Sequence, residues 1–293
     1  MKEIISVSRR TDMPACYLDR LIHFIKQGYA EVSSPYSGKK SIVSLKPGDV
    51  HTMVLWSKNF GNFLKKSDYF RKYNLYFLFT INDMPDLEPG IPPLPERLDQ
   101  VCELAARYGA ERIGWRYDPV VFTSEGTVAK AGTFERIGEM VARSGVRRVI
   151  FSFLDLYGKV KNRNEKFKMG VIDPQKHVKI DYAVRIAKSA ADLGLRLESC
   201  CENLDSVEGI KPSSCINGKV LSMLKGEDAK VTKDTGQREA CNCTVSRDIG
   251  SYRDMPCFNG CFYCYANPVI KEKKRTNKAT FNFRGNAVTD RIV

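Results

Sequence analysis

The chain has 293 residues, 43% hydrophobic and 28% charged, and its 47 Lys and Arg against 34 Asp and Glu give a formal charge of +13. That is an ordinary globular balance, long enough for one large core and an appendage. No apolar run approaches the roughly 20 residues of a membrane helix, since stretches such as Leu75-Tyr76-Phe77-Leu78-Phe79 stop at strand length. The opening Met1-Lys2-Glu3-Ile4-Ile5 has an early acid and lacks the apolar stretch of a signal peptide. The expectation is a cytoplasmic protein with no membrane partner. Its positive charge permits a nucleic-acid or other polyanionic partner without demonstrating one.

Residues 3–7 are short and β-branched, Ser8 to Asp12 break the pattern, and Leu18, Leu21, Ile22 and Ile25 recur at helical spacing within 15–28. Residues 30–34 and 41–45 flank Pro35 and Ser37-Gly38, which predicts a hairpin before the next strand, Thr52 to Trp56, and a helix over about 60–72. The unit then recurs. Strand 75–81 leads through a Pro-rich loop into a helix with Leu98, Val101, Cys102 and Ala105 on one face, followed by strand 112–116 and helix 133–143. Strand 148–153, a basic loop from Lys159 to Lys168, helix 175–193 and strand 195–199 complete the series. Six helix-separated strands predict a parallel sheet with right-handed crossovers, and six units suit an incomplete (β/α)6 TIM-like barrel over 1–203. A flat doubly wound sheet gives the same local signals, but no G-x-G-x-x-G follows a strand to favour it.

The residues just beyond each strand are polar: Arg9, Arg10 and Asp12; Lys58 and Asn59; Thr80 and Asn82; Arg116 and Asp118; Asp155; and Glu202. In barrels that rim is where successive loops converge on an active site. Loops are polar in any case, and an Arg–Asp pair at a strand end is often a structural ion pair, so the rim as a whole carries more weight than any one of its members.

Ten cysteines in a cytoplasmic chain of this size are hard to explain as disulfides. Cys16 and Cys102 stand alone, whereas Cys200, Cys201, Cys215, Cys241, Cys243, Cys257, Cys261 and Cys264 crowd one stretch of 204–293 and its border, which points to metal or cluster ligation. Cys257, Cys261 and Cys264 form C-x3-C-x2-C, and Gly260 gives that loop the permissive backbone needed to turn tightly. Three thiolates cannot close a four-iron cluster, so one iron stays open to an exogenous ligand.

With Tyr263 just before the last cysteine, this motif resembles that of radical S-adenosylmethionine (SAM) enzymes, and Gly260-Cys261-Phe262-Tyr263-Cys264-Tyr265 looks particularly like the spore photoproduct lyase branch. The whole chain, from Ser8-Arg9-Arg10-Thr11-Asp12 through Trp115-Arg116-Tyr117-Asp118-Pro119 to Arg247-Asp248-Ile249-Gly250, is similar to an uncharacterised bacterial and archaeal family with a radical-SAM-like C-terminal cysteine cluster. The resemblance implies an incomplete six-unit barrel and a 4Fe-4S cluster whose open iron binds S-adenosylmethionine. It also implies a flavodoxin- or ferredoxin-type electron donor and a 5′-deoxyadenosyl radical acting on a substrate that the resemblance does not identify. It makes Arg9, Arg10 and Arg116 candidates for the SAM carboxylate or an anionic substrate, and Asp118 or Glu202 for ribose or amino contacts. Two departures accompany it. In radical SAM enzymes the three cysteines usually follow the first strand, where this chain has Ser-Arg-Arg-Thr-Asp, and no Gly-Gly-Glu follows the second strand. A C-terminal segment carrying the cluster has to fold back over the mouth of the sheet.

Cys241 and Cys243 with Cys215 and Cys201 make a second set of four thiols, suited to a second iron–sulfur cluster or a tetrahedral zinc. Buried, unligated cysteines are the bland alternative. Two other functions compete with the radical reading: a zinc-stabilised nucleic-acid-binding module using Cys243, Cys257, Cys261 and Cys264, and a non-catalytic iron–sulfur electron carrier. His23, His51 and His177 are dispersed and motif-free. In the tail, Lys271, Lys273, Lys274, Arg275, Lys278, Arg284 and Arg291, with Phe281 and Phe283 interleaved, make a solvated terminus or, with the basic 159–168 loop, a track for a phosphate backbone.

Overall fold

The computed structural model describes residues 2–35, 37–129 and 132–270. Its centre is one eight-stranded sheet: β1 (Glu3–Val7), β2 (Val50–Ser57), β3 (Leu75–Thr80), β4 (Ile113–Val120), β5 (Arg148–Phe153), β6 (Arg196–Ser199), β7 (Ile210–Pro212) and β8 (Arg247–Asp248). Every pairing is parallel, and the spatial order is β7-β6-β5-β4-β3-β2-β1-β8. Neighbours in space are therefore neighbours in sequence, except that the last strand returns to the first. β1 to β6 are the six expected strands, with β4 continuing to Val120. β7 and β8 come from the C-terminal segment, which thus contributes to the sheet at both of its ends.

The helices are α1 (Met13–Cys16), α2 (Leu18–Gln27), α3 (Gly61–Lys65), α4 (Leu94–Tyr108), α5 (Thr133–Arg143), α6 (Gly158–Phe167), α7 (Lys176–Asp192) and α8 (Gly218–Lys225). The helix expected over 60–72 is α3 plus a 3₁₀ turn, Ser67–Phe70. The expected basic loop is α6, a helix that apolar periodicity does not reveal because Val160 is its only buried residue. The hairpin forms as expected, pairing Tyr29–Ser33 with Lys40–Ser44.

β2 and β3 are buried at every position, which is why they read as continuous apolar runs rather than alternating ones. Ile5, Val7, Met53, Leu55, Phe77, Phe79, Trp115 and Phe151 point to one face, where they pack against apolar residues of α2, α3, α4, α5 and α7. Ile4, Val54, Trp56, Tyr76, Leu78 and Ile150 point to the other, where they pack against Cys215, Ile216, Leu221, Ala229, Cys241 and Cys243. The long helices thus cover one face, and the segment from Cys215 to Cys243 covers the opposite one. No helix among the described residues is long and apolar enough to cross a membrane.

β8 is short, and Asp248 anchors it. Its carboxylate accepts from Ser6 Oγ at 2.7 Å, Ser8 Oγ at 2.6 Å, Arg9 N at 2.7 Å and Gly250 N at 3.0 Å. Asp248→Ala leaves several half-buried donors without an acceptor, and we expect a loss of about 3 kcal/mol of unfolding free energy, measured as a lower urea midpoint at unchanged m-value.

Candidate active site at the carboxyl ends of the strands

The loops after β1, β2 and β3 and the cysteine loop 257–265 meet at one end of the sheet. Asp12, after β1, caps α1 through Ala15 N at 3.1 Å and also accepts from Ser57 Oγ at 2.7 Å, Lys58 N at 2.9 Å and Asn259 Nδ2 at 2.7 Å. Burial pushes its carboxyl upward, and these four donors oppose the shift. Glu88, 2% exposed, accepts from Lys58 Nζ at 2.8 Å and from the Tyr263 hydroxyl. Burial alone raises its carboxyl, but the Lys58 charge and hydrogen bond outweigh it and hold it below the usual carboxylate range.

The backbone of the cysteine loop is equally anchored. Phe262 N donates to Leu87 O at 3.0 Å and Gly90 N to Asn259 O at 3.1 Å, so the Pro-rich loop after β3 is its seat. A Cβ at Gly90 would stand 2.6 Å from Asn259 O, which leaves room for glycine alone. Gly260 takes a φ of 66°, the left-handed turn that its position in the motif anticipates. From the other side, α6 sends Arg163 Nε to Phe262 O at 2.7 Å and Lys159 Nζ to Asn267 Oδ1 at 2.8 Å. Two cations of the expected phosphate track are thereby engaged with the cysteine loop. The tail cations from Lys271 to Arg291, with Phe281 and Phe283, lie outside the described residues.

The cysteines divide into two groups. Cys261 and Cys264 pack with Tyr263, Leu87 and Met84, and Cys257 stands beside Cys16, whose thiol donates to Asn259 Oδ1 at 3.8 Å. Cys16 looked isolated in the sequence and lies at the end of α1, which Asp12 holds under the loop. The proximity of the two thiols raises that of Cys16 and lowers that of Cys257, whereas burial raises those of Cys261 and Cys264. The second group is Cys200, Cys201, Cys215, Cys241 and Cys243, on the sheet face opposite the long helices. Cys200 Sγ lies 3.9 Å from Cys201 Sγ and 3.8 Å from Cys215 Sγ. Cys243 belongs to this second group, so the zinc set of Cys243 with Cys257, Cys261 and Cys264 is split between the two. Among the described residues, no three His, Cys, Asp or Glu side chains already converge on a single-ion site.

Between the groups stand two of the expected arginines. Arg9 and Arg116 place their guanidinium carbons 5.4 and 4.9 Å from the centre of the Trp56 ring. Arg116 pairs with Asp118, which also accepts from Ser152 Oγ, and Arg9 donates to Ser246 Oγ at 3.0 Å. Arg9 Nη2 and Arg116 Nε are buried without a hydrogen-bond partner. Tyr265 donates to Arg9 O at 2.6 Å and closes this space from the cysteine-loop side. Arg10 is turned away, donating to Gly250 O at 3.1 Å. Glu202 stands apart from Arg9 and Arg116, accepting from Phe153 N at 2.9 Å beside a cavity of about 350 Å³ lined by Lys179, Asp173 and Asn203. His51 is a core histidine with both ring nitrogens bonded, to Thr52 Oγ1 at 2.8 Å and Glu227 O at 2.9 Å; His23 and His177 are exposed.

Glu88 and Trp56 carry no sequence signal as site residues, because one lies in a Pro-rich loop and the other inside an apolar strand. Asp248 is different: it stands in the Arg247-Asp248-Ile249-Gly250 stretch that carries the full-length resemblance, and a Cβ added at Gly250 would meet Ser8 Oγ at 2.1 Å.

This is a mixed α/β protein built on a large parallel sheet, with a cysteine-rich loop returned to the carboxyl ends of the strands. Residues 4–266 match the family described as Domain of unknown function (DUF1848), and the chain belongs to that family. No curated protein matches it.

Glu202 generates a pH prediction. Burial raises its carboxyl from 4.5 to about 7, against the Phe153 hydrogen bond and Lys179, with Asp155 reinforcing the rise and Arg238 opposing it. The folded state then holds more protons than the unfolded state between those values, so the contribution of Glu202 to stability falls as pH rises from about 4.5 to about 7. Glu202→Gln should flatten that part of the profile in urea titrations; an unchanged slope would sink the assignment.

Proposed function

We propose that the protein is a radical SAM-like enzyme, in which the parallel sheet is rolled as an incomplete barrel and Cys257, Cys261 and Cys264 hold a four-iron cluster at its mouth. The observation that carries this reading is the seating of the cysteine loop: Asp12, Glu88 and the Pro-rich loop fix it over the ends of β1, β2 and β3. That is where the motif loop of radical SAM enzymes would lie if it followed the first strand. The sequential strand order, with the last strand returning to β1 and the long helices on one face, supports the rolled sheet.

The donor set fits the group. Three thiols come from one tight loop, Cys261 is 4% exposed, and cations stand beside them, Lys58 acting on Cys261 and Arg163 on Cys264. When bound, such a cluster supplies the single electron that cleaves the sulfur–carbon bond of S-adenosylmethionine. The chain's own part is positioning. Arg9 Nη2 and Arg116 Nε are donors without an acceptor, suited to a carboxylate or an anionic substrate, and Trp56 holds both guanidinium groups. Tyr263 donates to Glu88 and keeps Lys58 and that carboxylate together behind the loop. Phe258 and Tyr265, about half exposed, flank the loop and offer apolar cover for it.

A second reading rests on Cys16. Standing beside Cys257, it supplies a fourth thiol, and four thiolates would close the cluster into an electron carrier. Protein purified without oxygen and given dithionite and S-adenosylmethionine decides between them. We expect 5′-deoxyadenosine, lost by more than about 100-fold in Cys261→Ala and retained in Cys16→Ala. Iron lost from Cys16→Ala, with no deoxyadenosine from the parent protein, makes the centre a carrier.

A further inference from the structure

The five thiols on the sheet face opposite the long helices are not explained by the centre at its mouth. They come from three separate segments: Cys200 and Cys201 after β6, Cys215 after β7, and Cys241 with Cys243 before β8. They gather in a ring. Cys201 Sγ lies 3.9 Å from Cys200 Sγ and Cys200 Sγ 3.8 Å from Cys215 Sγ; Cys215 neighbours Cys243, and Cys241 neighbours both Cys243 and Cys201. Cys215, Cys241 and Cys243 are 3%, 8% and 3% exposed.

From this ring we infer that the sheet face opposite the long helices holds a second metal centre, ligated by the thiolates of Cys201, Cys215, Cys241 and Cys243. The ligand set selects the class of metal. Four thiolates, with no oxygen or imidazole ligand among them, suit a thiophilic centre, a single tetrahedral zinc or an iron–sulfur cluster.

The backbone selects Cys201. Cys200 ends a strand whose alternation turns it to the inner face in any case, and the next residue would then point away. Cys201 instead takes a φ of 60°, a left-handed conformation that is uncommon for a side chain other than glycine and costs free energy. That turn brings its sulfur back to the ring. The surroundings suit an anionic centre: Arg9 lies beside Cys243 and Cys215, Arg116 beside Cys215 and Cys200, and Arg238 beside Cys201 and Cys200. Arg148 fixes the strap that carries Cys215, donating to Ser214 O at 2.7 Å while its other contacts hold Glu198 and Tyr76. This inference is independent of the reading of the C-terminal loop.

The test uses the full chain purified without oxygen, in which Cys257, Cys261 and Cys264 are all changed to Ala. Bound metal should remain, and its identity, stoichiometric zinc or iron with acid-labile sulfide, tells the two kinds of centre apart. The absence of both metals overturns the proposal. In the same background, Cys201→Ser should lose the remaining metal and Cys200→Ser should keep it. These two residues are adjacent and half-buried, so a folding defect alone would affect both, and equal behaviour of the two overturns the ligand assignment.

Discussion

Three carboxylates hold the two ends of this chain together. A carboxylate taken out of water costs several kcal/mol unless donors surround it, and Asp12, Glu88 and Asp248 each draw donors from segments far apart in sequence. Asp248 takes Ser6 and Ser8 from β1. Asp12 takes Ser57 from β2 and Asn259 from the cysteine loop, and Glu88 takes Lys58 and Tyr263. Lys58 serves twice, its backbone N on Asp12 and its Nζ on Glu88, so the two networks stand or fall together. The position of the cysteine loop follows from satisfying these groups together with the packing of Cys261 and Tyr263 against Met84 and Leu87.

The sheet supplies the frame. With the long helices on one face, the other must be covered by something else, and the chain covers it with its own C-terminal segment. On that face Arg148 pairs with Glu198, Nη2 to Oε2 at 2.7 Å, and donates to Ser214 O at 2.7 Å beside Cys215, while Val54, Leu78 and Ile150 pack against the thiol-bearing segment.

The sequence made the frame legible because parallel strands buried on both faces leave long apolar runs between helical patterns. β2, β3 and β5 are such runs. β7 and β8 are not, because strands of three and two residues carry no period and are held by pairing, with Asp248 anchoring β8. α6 was hidden for a related reason: it buries one side chain and is fixed by its basic face, through Arg163, to carbonyl groups of the cysteine loop. Thiol spacing along the chain marked Cys257, Cys261 and Cys264 as one unit, but nothing local could place Cys16 beside them, since that contact depends on Asp12 docking α1 against Asn259.

A parallel sheet that brings its last segment back to its first sets a late loop above the ends of its first strands. In this chain the loop after β1 supports the cysteine loop, giving Asp12, Cys16 and Arg9. The docking leaves one mark on the backbone. Gly90 and Asn259 pass so closely that a single methyl group at Gly90 would displace the loop, because a segment docked from outside must approach the Pro-rich loop at backbone distance.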